Sequence, residues 1–144
     1  RYVMKVLYHT AATATGGGRD GRTCSEDGEL DLQLVVPREL GGPGGPGANP
    51  EKLFAAGYAA CFLGALRYVA GQQKVTLGSD VTVTAKVGIG PRDDGTGFGL
   101  DVALDVAIPS VERAVAEDLV ARAHVVCPYS DATRGSLDVR LTVL

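Results

Sequence analysis

The chain has 144 residues, a net charge of −3 with acidic and basic residues interspersed, and three cysteines. That length suits one domain, 1–144, able to bury roughly two-thirds of its unfolded surface. No basic run or stripe points to nucleic acid and no basic amphipathic helix to a membrane surface; the uncharged run Leu53–Leu66 falls short of the about 20 residues that span a bilayer.

The first residues lack a signal-peptide pattern, and Arg1 suggests a trimmed start. An odd, low cysteine count argues against a structural disulfide framework. The expectation is a soluble cytoplasmic protein in which any disulfide is transient and catalytic.

Tyr2–Thr15 is rich in β-branched and aromatic residues and predicts a strand, broken by Gly16–Gly21. Arg22–Glu26 pairs back, Asp27-Gly28 signals a hairpin turn, and Leu30, Leu32, Leu34 and Val36 alternate as a third strand that Pro37 ends. Gly41–Gly47 (GGPGGPG) is the one low-complexity stretch. A three-stranded meander is marginal by itself, so this stretch is taken as a loop within one domain.

A long helix follows over Asn49–Gln72, with Asn49 as cap, Pro50 at its first position and Glu51 in its first turn. It is apolar nearly all round, which predicts burial on more than one side. Val81–Ile89 and Phe98–Ile108 alternate as two strands about the turn Pro91–Gly97. Ser110 is the expected cap of a second helix reaching about Val126, with Val111, Val115, Leu119 and Val126 on one stripe and Pro128 as its stop. A last strand, Leu137–Leu144, completes the order βββ-α-ββ-α-β, an α+β fold.

Cys61 lies mid-helix among Gly57, Ala60 and Gly64, with Phe54 and Tyr58 on another face. An inert packed thiol and an active-site nucleophile both fit this setting. Cys127 closes the second helix, where the negative end of the dipole disfavours a thiolate; that suits a resolving thiol better than an attacking one, and a packed thiol equally well. Whether the two meet is a matter of fold.

Cys61 is too deep in its helix to gain much from the N-terminal dipole, so a thiolate there needs a cation. Arg19, in the glycine-rich turn GGGRDG, is the candidate, against the alternative of an ordinary charged hairpin tip. Glu51 is the natural bidentate partner for that guanidinium, against a plain first-turn acid. Glu51 precedes Cys61 by about three turns, roughly 15 Å of helix, so it acts on the thiol only through another group. His124-x-x-Cys127 resembles half of a metal site, but further ligands at zinc-like spacing are lacking and no metal is expected. Cys24 and His9 receive no role.

GGRDGR at Gly17–Arg22, GGPGGPGANPEKLFAAGYAACF at Gly41–Phe62 and HVVCPYSDATRG at His124–Gly135 together resemble the organic hydroperoxide resistance (Ohr) proteins of the Ohr/OsmC superfamily, and the likeness runs through essentially the whole chain. Ala48 stands where Thr is usual, and Asp131 where Asn is usual. The resemblance implies an OsmC-like fold with two long central helices and sheets around them, assembled as an intertwined homodimer. It implies a peroxidase for alkyl or fatty-acid hydroperoxides, with Cys61 peroxidatic, Cys127 resolving, Arg19 contacting thiolate and peroxide, and Glu51 pairing with Arg19. The Cys61–Cys127 disulfide would be reopened by a dihydrolipoyl dithiol on a lipoylated protein, with no bound cofactor. An OsmC-branch peroxidase with another peroxide preference, and a non-catalytic dimer that senses redox state or binds an apolar ligand, are the competing readings.

Overall fold

A computed structural model describes residues 2–144; Arg1, read above as the mark of a trimmed start, lies outside the described residues. The chain falls into two compact units, one ending at Pro50 and one running Glu51–Leu144.

In the first unit, β1 (Ala12–Thr15), β2 (Arg22–Ser25) and β3 (Asp31–Gln33) form an antiparallel meander. The predicted turn at Asp27-Gly28 is present: the Asp27 carboxylate accepts from Ser25 Oγ at 2.6 Å and from the Glu29 amide at 3.0 Å, and Gly28 takes a left-handed φ of 76°. β1 is much shorter than expected. Its ladder begins only at Ala12, and residues 3–10 lie outside any strand of the chain. Apolar alternation there has no ladder to join, and Val3, Leu7 and Tyr8 are largely exposed. β3 is likewise short; Leu34 follows it, buried, bridging to Ala48 in parallel.

The glycine- and proline-rich loop is folded back rather than extended. After a single 3-10 turn, Arg38–Leu40, the amide of Gly42 donates to the Pro37 carbonyl and that of Gly44 to the Val36 carbonyl. A Cβ at Gly42 would lie 2.3 Å from that same Val36 carbonyl oxygen, so only glycine fits.

The second unit starts with the helix the sequence predicts: α1 runs Pro50–Gln72. β4 (Thr82–Pro91) and β5 (Phe98–Ala107) pair antiparallel over their whole length, and β6 (Arg140–Val143) adds in parallel to β5. Val102, Leu104 and Val106 of β5 point into the core, where they meet Tyr58, Phe62, Leu66 and Val69 of α1 and Leu119, Val120 and Ala123 of α2 (Arg113–Val126). Leu66 is fully buried there. Leu66→Ala is expected to lower unfolding stability by about 2–5 kcal/mol in chemical denaturation, through lost burial and a residual cavity.

Three expectations need correction. Within the single chain α1 is buried on one side only; Ala60, Gly64 and Tyr68 on its other side are exposed, because the chain's own sheet and α2 cover a single stripe. Over its full 23 residues α1 is also long and apolar enough to cross a bilayer, which the shorter uncharged run does not reveal, yet its buried stripe is part of this core. Ser110 does not cap α2: it lies in a turn, and Glu112 takes the capping position without a side-chain bond, so the buried stripe is Ala116, Leu119, Val120 and Ala123 while Val126 is exposed.

Pro128 ends α2 but does not end helical structure. It opens a third helix, α3 (Pro128–Thr133), with Cys127 as the last cap of α2 and the first of α3. Proline at the first helical position forgoes only an amide that has no intrahelical partner there.

Candidate active site

The Cys127 Sγ lies 3.5 Å from the Cys61 Sγ, and both thiols are free. α1 presents Cys61 at the margin of the core, half-buried; the α2–α3 corner holds Cys127 fully buried. The fold thus brings together two cysteines 66 positions apart in sequence.

Burial pushes the Cys61 thiol above its ordinary value, and the neighbouring Cys127 pushes the same way, since two thiolates this close repel. One influence works against this: the backbone N–H of Tyr129, at the start of α3, favours the Cys61 thiolate and lowers its pKa. Left to these groups alone, Cys61 is mostly protonated at neutral pH, and an added positive charge is required to ionise it.

Around the thiols the walls are aromatic. The Phe54 and Tyr58 rings meet edge to face at 6.0 Å, and Tyr58 meets Tyr129 the same way at 5.9 Å. The Tyr129 ring fits where Gly57 has no side chain: a Cβ there would come within 3.1 Å of it. Phe54 and Leu63 are half-buried, whereas Phe62 is wholly inside the core.

Behind the thiols is a buried polar chain that the sequence does not announce. The Tyr58 hydroxyl lies 2.7 Å from Ser130 Oγ, and Ser130 Oγ lies 2.8 Å from His124 Nδ1. Ser130 is fully buried. Arg134 donates to the His124 carbonyl at 2.6 Å. Burial, and then the charge of Arg134, lower the His124 pKa below the usual histidine value and keep the ring neutral at pH 7. The available signal was Cys-Pro-Tyr-Ser: a proline after a capping residue starts helices as well as stopping them, and the first amides of a helix point back out of its N-terminus. His124 thus points at Ser130; among the described residues no group of three or more His, Cys, Asp or Glu is placed to hold a metal.

Arg19 and Glu51 belong to different compact units. Arg19 sits half-buried at the β1–β2 tip. That tip is shaped by glycine: Gly16 and Gly18 have φ of 74° and 79°, and a Cβ on Gly21 would fall 1.9 Å from the Thr15 carbonyl oxygen. Glu51 is half-buried in the first turn of α1. Cys24, on β2, faces Thr13 and Asp31 across the meander, beside the Arg22–Asp31 ion pair at 2.6 Å.

Residues 42–142 match the model of the OsmC-like protein family. An organic hydroperoxide resistance protein of Xanthomonas axonopodis pv. citri is 55% identical over 139 residues, covering 96% of each chain. The organic hydroperoxide resistance protein OhrB of Bacillus subtilis is 44% identical over 132 residues, 92% of this chain and 95% of that one. A crystal structure of an organic hydroperoxide resistance protein from Legionella pneumophila superposes with a TM-score of 0.90 at 52% identity, covering 96% of this chain and 98% of that one. With its α+β fold and paired thiols, the chain belongs to the OsmC family, among its organic hydroperoxide resistance proteins.

Proposed function

We propose that the chain is a thiol-dependent peroxidase that reduces organic hydroperoxides to alcohols. The carrying observation is the pair of free thiols 3.5 Å apart, one half-buried and one fully buried. An attacking sulfur must be reached by substrate; a resolving sulfur needs only to reach its partner.

Cys61 thiolate attacks the distal oxygen of R–O–O–H, the O–O bond breaks, and the departing alkoxide takes a proton to become the alcohol. Cys61 is left as a sulfenic acid. The Cys127 sulfur displaces its hydroxyl, water leaves, and a disulfide forms before a second peroxide can oxidise Cys61 to sulfinic acid. A dithiol then restores both thiols by exchange, ending as a cyclic disulfide itself. We assign that role to a dihydrolipoyl group on a lipoylated protein, which suits a reducing cytoplasm. The cycle uses no resident cofactor.

Arg19 supplies the positive charge that Cys61 needs and stabilises the developing alkoxide; Glu51 aims it. The glycine-shaped tip and the half-buried first turn of α1 suit these roles. Phe54, Leu63 and Tyr129 favour apolar hydroperoxides, which gain from burying hydrocarbon where hydrogen peroxide does not.

The working form is an intertwined homodimer of 1–144 domains with the long helices central. Supporting it are the exposed apolar residues ahead of β1, among them Val3, Met4, Leu7 and Tyr8, and the exposed small-residue side of α1 at Ala60 and Gly64. A second copy would bury both.

The test is consumption of cumene hydroperoxide with dihydrolipoamide as reductant. Sustained turnover is expected, with a Cys61–Cys127 bond seen by mass spectrometry after one equivalent of peroxide. One oxidation without turnover would mark a redox sensor, a preference for hydrogen peroxide would favour the OsmC branch, and a bond to Cys24 would overturn the resolving role of Cys127.

A further inference from the structure

Ser130 joins three elements at one atom. Its Oγ lies 2.7 Å from Tyr58 on α1 and 2.8 Å from His124 on α2, while Ser130 itself sits in α3, three residues after Cys127. We propose that Tyr58, Ser130 and His124 form a latch of positioning residues that holds the Cys127 corner against Cys61 during disulfide closure, and that it holds only while His124 is neutral. The role of the closure step rests on the peroxidase reading above.

Proton accounting fixes how the latch works. Tyr58 is fully buried and has one hydroxyl proton, for which Ser130 Oγ is the acceptor at hand. The Ser130 proton then goes to His124 Nδ1, so the ring carries its own proton on Nε2. Every buried hydroxyl proton has an acceptor in this arrangement. A protonated His124 turns Nδ1 into a donor facing Ser130. Either the Ser130 proton or the Tyr58 proton then loses its acceptor, and the junction is frustrated.

The groups facing the imidazole agree. Arg134, bonded to the His124 carbonyl, opposes a second positive charge; Asp131 lies behind Arg134 at 3.4 Å; Ser130 and Tyr58 are neutral; Cys127 lies one turn on. The latch is therefore intact at neutral pH and opens as pH falls through a histidine pKa that burial has already lowered.

The latch ties α3 to both helices at one end, and Cys127, the shared cap of α2 and α3, forms the other. Closing the disulfide shortens the sulfur separation from 3.5 Å to about 2.05 Å. A loosened corner widens the search for that geometry.

The test quenches protein treated with one equivalent of cumene hydroperoxide and separates sulfenic acid, sulfinic acid and disulfide at Cys61 by mass spectrometry. In Ser130→Ala, closure is expected to slow about ten-fold more than sulfenic acid formation does, with more sulfinic acid per turnover. Tyr58→Phe, which keeps the Ser130–His124 bond, has a smaller effect in the same direction. His124→Asn, whose amide oxygen replaces Nδ1 as acceptor, closes at near the wild-type rate and lacks the wild type's histidine-dependent loss of closure at acid pH. Wild-type closure in Ser130→Ala, or an unchanged acid limb in His124→Asn, overturns the latch. If wild-type protein leaves cumene hydroperoxide untouched, the peroxidase reading fails. The latch is then decided by closure with diamide, which takes two hydrogens from the dithiol: slow closure in Ser130→Ala supports it, and equal rates overturn it.

Discussion

Cys61→Ser is expected to abolish hydroperoxide reduction, with a loss of at least about a thousand-fold in initial rate when cumene hydroperoxide and dihydrolipoamide are supplied together. A serine hydroxyl is not ionised at neutral pH and is a weak nucleophile toward peroxide oxygen, so the loss is chemical rather than structural. The change is nearly isosteric at a half-buried position, and the core beneath it, built from Tyr58, Phe62 and Leu66, is untouched. Circular dichroism and melting temperature should therefore match the parent. The measurement that checks the assignment is the initial rate of peroxide loss in folded protein; full activity in Cys61→Ser would end the peroxidase reading.

Arg19→Ala is expected to cost about a hundred-fold to a thousand-fold in the same rate, the scale on which loss of one preorganised charge at a reacting oxygen is felt. The physical need is visible in the second unit by itself: burial and the second thiol push the Cys61 thiol up, with the Tyr129 amide opposing them. Without the guanidinium the thiol pKa should rise further, so the surviving activity should climb with pH through a higher midpoint than in the parent. Titration of the thiolate by its ultraviolet absorbance checks this directly. An unchanged Cys61 titration in Arg19→Ala removes Arg19 from the mechanism, whatever happens to the rate.

What the sequence shows of this fold depends on whether the causes are local. α1 was legible to the residue because its start is chemical, Asn49-Pro50-Glu51, and its apolar run has no competing break. β4 and β5 were legible because strict alternation over ten residues has a single half-buried solution. The segment ahead of Ala12 has equally good strand character and forms no strand, because a strand needs a ladder as well as a propensity. α3 was missed because Pro128 reads as a stop, and only the backbone shows it also begins a turn.

For the candidate site, the two cysteines stood out by residue type. Their pairing did not, since 66 intervening positions can be folded in many ways. Tyr58, Ser130 and His124 were invisible as a group: a tyrosine, a serine and a histidine on three helices become one object only once those helices are packed.

The placement of Cys127 at the α2–α3 corner also bears on unfolding. A bond from that corner to the middle of α1 would close a loop between residues 66 positions apart, a span that includes β4, β5 and α2. Closing a loop of that size removes about 4 kcal/mol of entropy from the unfolded chain. The proposed cycle would then alternate a looser and a tighter protein. If a dithiol is its reductant, a short supply would leave the protein in its more heat-resistant form, so its melting curve would report how well that supply keeps pace.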